Sequence, residues 1–254
     1  IDKGKEIHAD VIKTGLLEKD VLYGNALLDM YVTIGLLENA QTVFDVMTTR
    51  DVISWTALIA GYVDNGFSEE ALICFEEMKK EGISPNSATF LCSLKACSSI
   101  GDIERGRAIQ SDIPVEIFRR DTSLGNSLID MYAKCGALHE AQQVFQQLPI
   151  RNIISWNALL AGYTEHGFGD DALDQLAKMH LEGMSPDAST LNCCLKACGI
   201  IGSLVQSQEI HDVIVMKGLE NANFIGNTLV DVYTKCGLLA EAQYIFNELS
   251  VRTV

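Results

Sequence analysis

A step of 101 residues recurs along this 254-residue chain, and it constrains the fold more than any composition does. Trp55 and Trp156 stand one step apart, as do Pro85 and Pro186, and Phe44, Phe145 and Phe246. Asn25, Asn126 and Asn227 keep the same spacing, inside GNALLDMY (24–31), GNSLIDMY (125–132) and GNTLVDVY (226–233). ISWTALIAGY (53–62) returns as ISWNALLAGY (154–163), and LKAC (94–97) as LKAC (195–198). A fixed period of this kind marks an array of small structural units that bury their apolar faces against one another.

Each period divides into units of 31, 35 and 35 residues. Short units span 21–51, 122–152 and 223–253. Longer ones span 52–86, 87–121, 153–187 and 188–222, and residues 1–20 read as the tail of another long unit. That tail carries one extra residue between Gly15 and Asn25, relative to Gly218 and Asn227.

Within a unit the apolar spacing is helical. Trp55, Leu58, Ile59 and Tyr62 follow i, i+3, i+4, i+7 and form one stripe; after a break at Asn65-Gly66, Ala71, Leu72, Phe75 and Met78 form a second. The step from Ser68 to Ala71 reads as a helix start, with Glu69 and Glu70 suited to the positive helix end. Gly82 and Pro85 close the second helix. Pro114 falls where the next period has Val215, so the spacing predicts a kink or an early end there. A lone hairpin cannot bury both stripes, and stacking on neighbours can. The expected fold is an all-α, right-handed superhelix: a solenoid of stacked helix-turn-helix repeats with a long concave face.

Composition narrows the class. Hydrophobic residues are 48% and charged residues 21% of the chain, and no apolar run reaches the length of a membrane span. The chain begins at Ile1 with no signal-like leader and reads as an internal fragment. Eight cysteines include no C-x-x-C pair. Cys97 and Cys198, and Cys135 and Cys236, recur with the period, which points to packing and a reduced compartment rather than zinc or disulfides. A net charge of −15 opposes generic nucleic-acid binding, because phosphate neutralisation by Lys and Arg usually dominates that affinity.

The units lack the tetratricopeptide signature W-x2-L-G-x2-Y. Their order of motifs resembles the pentatricopeptide-repeat family, in its subclass of alternating ordinary (P), long (L) and short (S) motifs. The short motif is similar to residues 125–145 and 226–246, the ordinary one to 155–187, and the long one, LKAC…G…GxxxH, to 195–211. On this resemblance 21–51, 122–152 and 223–253 are S units, 52–86 and 153–187 are P units, and 87–121, 188–222 and the tail 1–20 are L units.

The resemblance implies binding of single-stranded RNA, one base per unit, read by the fifth and last residues of each unit. A short amide or hydroxyl at the fifth position can bond a base edge, and the last residue selects the donor and acceptor pattern. Carried onto this chain, Asn25 with Asp51 implies U, Thr56 with Asn86 implies A, Asn126 with Asn152 implies C or U, and Asn157 with Asp187 implies U. Leu91 with Asp121 and Asn192 with Ala222 form no clear pair, and Asn227 with Thr253 implies a weak pyrimidine preference. The implied ligand is 5′-U-A-N-Y-U-N-Y. Position two, here Leu22, Ile53 and Ile154, would pack on base faces. The same Asn and Asp residues are also good helix caps, which is the alternative role for each taken singly.

Most acids, such as Glu69, Glu70, Glu76 and Glu77, fall on second helices, away from that face. Lys134 and Lys235 recur on first helices of short units, where they could meet phosphates; the first short unit has Thr33 there. Asp64 and Glu165 stand near the equivalent place in the P units, so weak affinity is expected. The family further implies an organellar protein that positions a transcript for C-to-U editing, with an accessory protein docking on the L units. The alternative function is a protein–protein scaffold.

No catalytic site is expected. His180-Leu181-Glu182 matches the H-x-E of zinc deaminases, but Pro186 is followed by Asp187, and Cys193-Cys194 cannot supply P-C-x-x-C. His139-Glu140 and Glu165-His166 have no partner pattern, and His8 and His211 are replaced by Gln110 in the middle period. No phosphate loop or dinucleotide fingerprint is present, so neither a metal nor a cofactor is expected.

Overall fold

A computed structural model describes residues 20–219 and 223–248, together with Lys13. Most of the tail unit 1–20, including His8 and the insertion counted from Gly15, lies outside the described residues, as do Ala222 and Thr253.

Among the described residues the regular structure is entirely helical. The elements are α1 (Val21–Thr33), α2 (Leu37–Val46), α3 (Val52–Asp64), α4 (Ser68–Lys80), α5 (Ser87–Ile100), α6 (Ile103–Asp112), α7 (Val115–Arg120), α8 (Thr122–Lys134), α9 (Leu138–Gln147), α10 (Ile153–Glu165), α11 (Gly169–Leu181), α12 (Ala188–Ile201), α13 (Leu204–Met216), α14 (Asn223–Lys235) and α15 (Leu239–Glu248).

The first helices of the hairpins start where they do because of one short polar residue each. Asp20, Asp51, Asn86, Asn152 and Asp187 hold extended backbone, and their side chains accept from amides of the first turn. Four of them complete a capping box with a hydroxyl three residues on: Ser54, Thr89, Ser155 and Thr190. Second helices mostly open without a side-chain cap, after Leu36, Phe67, Ala137 and Phe168. Ser68 begins α4 as expected, but as its first helical residue; its hydroxyl pairs with that of Ser99 at 3.1 Å. The hairpin turn before it needs left-handed backbone, which Gly66 supplies at φ 83°.

The chain divides into two compact units, Ile1–Met131 and Tyr132–Val254. In the first, α1, α3 and α5 pack side by side, and α2 and α4 each fill the gap between their own first helix and the next. Trp55, Leu58 and Ile59 are buried as the stripe requires, and Tyr62 is half-buried with its hydroxyl on Gln41 at 2.8 Å. Phe44 meets Trp55 edge-on at 4.5 Å. Arg50 stacks on Phe44 at 4.5 Å, donates to the Phe44 carbonyl at 3.1 Å and bridges to Glu81 at 3.0 Å. The predicted break at Pro114 is present: α6 ends at Asp112, Ile113 turns extended, and α7 starts after the proline.

The second unit repeats this plan with α10, α12 and α14 side by side and α11 and α13 between them. Phe145 meets Trp156 edge-on at 4.5 Å, and Arg151 stacks on Phe145 at 5.0 Å and bridges to Glu182 at 2.5 Å. The same joint between a short unit and the next is thus built twice from identical residue types.

None of the eight cysteines is in a disulfide. Cys97 and Cys198 are fully buried at equivalent places in the two units, and burial pushes the Cys74 thiol up to about 12 and that of Cys198 to about 11. The Cys74 and Cys198 thiols stay protonated at neutral pH. No helix among the described residues is long and apolar enough to cross a membrane.

Candidate nucleic-acid interface

Among the described residues the fifth residues fall one turn into first helices, and Asp51, Asn86, Asn152 and Asp187, each the last residue of its unit, cap the first helix that follows. Side-by-side packing of α1 with α3, α3 with α5 and α10 with α12 therefore brings a fifth residue to the cap of its neighbour. In the first unit, Asn25 Nδ2 donates to Asp51 Oδ1 at 3.2 Å, and the Ser54 hydroxyl donates to Asn25 Oδ1 at 2.6 Å. In the second, Asn157 Nδ2 donates to both Asp187 oxygens at 3.1 and 3.2 Å, and Thr190 donates to Asn157 Oδ1 at 2.6 Å. Thr56 and Asn86 are linked through Thr89, whose hydroxyl lies 2.7 Å from that of Thr56 and 3.0 Å from Asn86 Oδ1.

Capping and pairing are therefore not alternatives for the last residue. Asp51 Oδ1 accepts from the backbone amides of Ile53 and Ser54 at 2.9 Å each while it also holds Asn25. Asn25, Thr56 and Asn157, by contrast, lie within helices whose N-caps are Asp20, Asp51 and Asn152. Burial would push the Asp51 carboxyl up, but hydrogen bonds from the Ser54 amide, Asn25, the Ser54 hydroxyl and the Ile53 amide outweigh it and hold it below its ordinary value. Asp187 is held low in the same way by the Thr190 amide, Asn157, the Thr190 hydroxyl and the Ser189 amide. Both are anions at neutral pH, which makes them acceptors only.

Asn152 caps α10 and its Oδ1 accepts from the Ser155 amide at 3.0 Å. Asn126 is 9% exposed. Leu91 is half-buried and Asn192 likewise, and Asp121 accepts from the Ser123 amide at 3.0 Å. Asn227 is exposed, unlike Asn25 at 8%.

Leu22, Ile53 and Ile154 are 65%, 56% and 59% exposed at the starts of α1, α3 and α10. Aliphatic side chains left open at one recurring register give flat contact to apolar faces. Phe224, 48% exposed, holds the same register in α14, and sequence reasoning missed it. Its signal was available, since it stands two steps of 101 after Leu22. Also missed were the buried hydroxyls of Ser54, Thr89 and Thr190.

The charge on this face is mixed. A groove of about 630 Å³ between α1 and α3 is lined by Asp29, Thr33, Ala57, Ala60, Asp64 and Asn65. Asp64 is bridged to Lys95 at 2.7 Å, which reduces the repulsion expected of it. Lys134 is exposed in the last turn of α8. Lys235 is exposed too, and bonds Asp231 at 2.7 Å. Among the described residues, no group of three or more His, Cys, Asp or Glu side chains could hold a metal ion.

Profiles of the PPR repeat match residues 25–52, 126–153 and 227–253, and profiles of the PPR repeat family match 50–99 and 151–199. The chain belongs to the pentatricopeptide-repeat family. A chloroplastic pentatricopeptide repeat-containing protein of Arabidopsis thaliana is 36% identical over 255 residues, covering 100% of this chain and 31% of that protein. A mitochondrial one from the same plant is 33% identical, covering 98% of this chain and 24% of that protein. The chain thus spans about a third or less of the length of these relatives. Among solved structures, the pentatricopeptide repeat protein PPR10 in complex with an 18-nt psaJ RNA element matches with a TM-score of 0.79 at 20% identity, over 97% of this chain and 37% of that one. This likeness shows that the pentatricopeptide repeats here adopt the family's all-helical solenoid fold.

Proposed function

We propose that this array binds single-stranded RNA along its first helices, one base per hairpin, in the order 5′-U-A-N-Y-U-N-Y. The observation that carries the reading is the pairing of fifth and last residues across neighbouring hairpins, Asn25 with Asp51 and Asn157 with Asp187. A bonded amide and carboxylate at one recurring place form a preset edge of donors and acceptors, which is what a base's Watson–Crick edge requires. The solved relative of the same fold was captured with an RNA element. In this reading Asn25, Asp51, Thr56, Asn86, Asn126, Asn152, Asn157, Asp187 and Asn227 read bases. Leu22, Ile53, Ile154 and Phe224 pack on them, and Lys134 and Lys235 meet phosphates.

The alternation of 31- and 35-residue units supports assignment to the P, L and S subclass. On that footing, and with relatives named chloroplastic and mitochondrial, the array works in an organelle and positions a transcript for C-to-U editing by a separate catalytic domain or partner. An accessory protein docking on the L units is favoured by a groove of about 580 Å³ between α11 and α13, whose lining includes Leu176, Met184, Ile210 and Val213.

Fluorescence anisotropy with the matched RNA, a scrambled RNA and the DNA version tests the reading. Tighter binding of the matched RNA is expected; equal affinity for matched and scrambled RNA would sink it. Replacing Asn157→Thr together with Asp187→Asn should move the preference at the fifth base from U to A.

A further inference from the structure

The 19 Lys and Arg of the chain are set unevenly against its 34 acids. The P units 52–86 and 153–187 hold two cations and one, each against six acids, whereas the L unit 87–121 holds five of each. Three of those five cations are occupied within the fold. Lys95 meets Asp64 at 2.7 Å, Arg105 meets Glu69 at 2.7 Å, and Arg107 meets Glu104 at 2.8 Å. Arg119 and Arg120 are exposed, and among the described residues neither forms an ion pair.

Pro114 sets where these two arginines stand. It ends α6 at Asp112 and starts the short α7, in which no residue is buried. One period later α13 runs unbroken to Met216, and the counterparts of the two arginines are Glu220 and Asn221. A helix that buries nothing adds little to the core, and the end of α7 leads straight into the reading face. The Asp121 amide donates to the Ile117 carbonyl at 2.9 Å and closes α7, while its carboxylate accepts from the Ser123 amide at 3.0 Å in the first turn of α8. Asn126 follows in the next turn.

The arginine that precedes the last residue of a short unit is disposed differently. Arg50 and Arg151 fold back over Phe44 and Phe145 and are neutralised by Glu81 and Glu182. At the end of α7 the two guanidinium groups keep their donors. Guanidinium forks match the paired non-bridging oxygens of a phosphodiester. The same unit has Leu91 at its fifth position, which offers a base edge neither donor nor acceptor.

We infer that Arg119 and Arg120 form a phosphate clamp on the linkage between the third and fourth nucleotides of bound RNA, so that unit 87–121 holds backbone where it reads no base. The inference rests on the RNA-reading function proposed above, whose order of one base per hairpin places that linkage at the joint between α7 and α8.

The test is anisotropy with 5′-U-A-N-Y-U-N-Y RNAs that carry one neutral methylphosphonate, placed at each linkage in turn. The proteins are wild type, Arg119→Gln with Arg120→Gln, Arg119→Lys with Arg120→Lys, and Lys80→Gln with Lys178→Gln. Lys80 and Lys178 are exposed on the second helices α4 and α11, so their loss changes the net charge equally without touching the clamp. Wild type should lose about tenfold in Kd when the third linkage is neutral, the worth of one charged hydrogen bond. The Gln pair should bind unmodified RNA about tenfold more weakly and lose nothing further at that linkage. Its slope of log K against log salt should be shallower by about 0.7, one phosphate on a single strand. The Lys pair should keep the wild-type slope, and the Lys80 and Lys178 variant the wild-type response at the third linkage. Wild type indifferent to the third linkage, which needs no variant to show, overturns the clamp alone. So does equal weakening by the Lys80 and Lys178 variant, which would reduce the effect to net charge. Equal affinity of wild type for matched and scrambled unmodified RNA overturns the RNA-reading function, and the clamp's register with it.

Discussion

Asp51 and Asp187 each serve two purposes through one carboxylate: they cap a helix and hold the amide of the preceding hairpin. Removing the side chain should therefore act on stability as well as recognition. Asp187→Ala is expected to cost about 1 kcal/mol by urea denaturation at neutral pH, and Asp187→Asn much less, because asparagine caps nearly as well. The sign of the pH dependence follows from the lowered carboxyl. Its extra stabilisation is complete above the ordinary aspartate value of 3.8 and is lost as pH falls from there through the lower folded value. The gap between wild type and Asp187→Ala should thus narrow below that pH; a gap that widened would refute the assignment. Residue roles were only partly legible beforehand. The family resemblance named the partners Asn157 and Asp187, but the contact between them depends on α10 and α12 lying side by side. The third-position hydroxyls read from sequence as ordinary capping-box residues, and nothing local shows which neighbour receives their proton.

At the scale of helices, packing distance is set by small residues. A Cβ on Gly162 would lie 2.6 Å from Ala133 Cβ and 3.3 Å from the Ala133 backbone, so α10 would have to move away from the last turn of α8. A Cβ on Gly106 would meet only the flexible end of Met131, at 2.5 Å from its sulfur. Gly162→Ala should cost about 1–3 kcal/mol and Gly106→Ala clearly less, as read by their shifts in denaturation midpoint. Equal shifts would mean that backbone contact does not control the spacing. First-helix starts are legible at α1, α3, α5, α10 and α12, because each carries its own capping Asp or Asn just before its apolar stripe. Pro114 was legible for the same reason: its missing donor breaks a helix whatever surrounds it. Second-helix starts were less so. Ser68 has the right residue type for a cap, yet its hydroxyl turns to Ser99 on another helix.

For the whole chain, on the RNA-binding function proposed above, the −15 net charge and the sparse cations on the first-helix face are expected to limit affinity more than recognition. If Lys134 and Lys235 are the only phosphate contacts, the slope of log K against log salt should be no steeper than about −1.4, since each contact on a single strand contributes about −0.7. A much steeper slope would place the RNA on other cations. The acidic residues lining the groove between α1 and α3 fit this expectation of weak, selective binding.

The sequence alone determined the period and the helical hairpins, because these are local: spacing, side-chain length and backbone preference act within a turn or two, while the candidate readers came from the family resemblance. Burial and bonding were decided by the tertiary structure. Ser54 and Ser155 each close a capping box, yet Ser54 donates to Asn25 Oδ1 at 2.6 Å on the neighbouring first helix and Ser155 to the Asn152 carbonyl at 2.7 Å. Asn25 is 8% exposed because it lies against α3 and the cap that Asp51 supplies. A fifth residue is completed by the next hairpin's cap and hydroxyl, and that partner comes from stacking, which no single unit encodes.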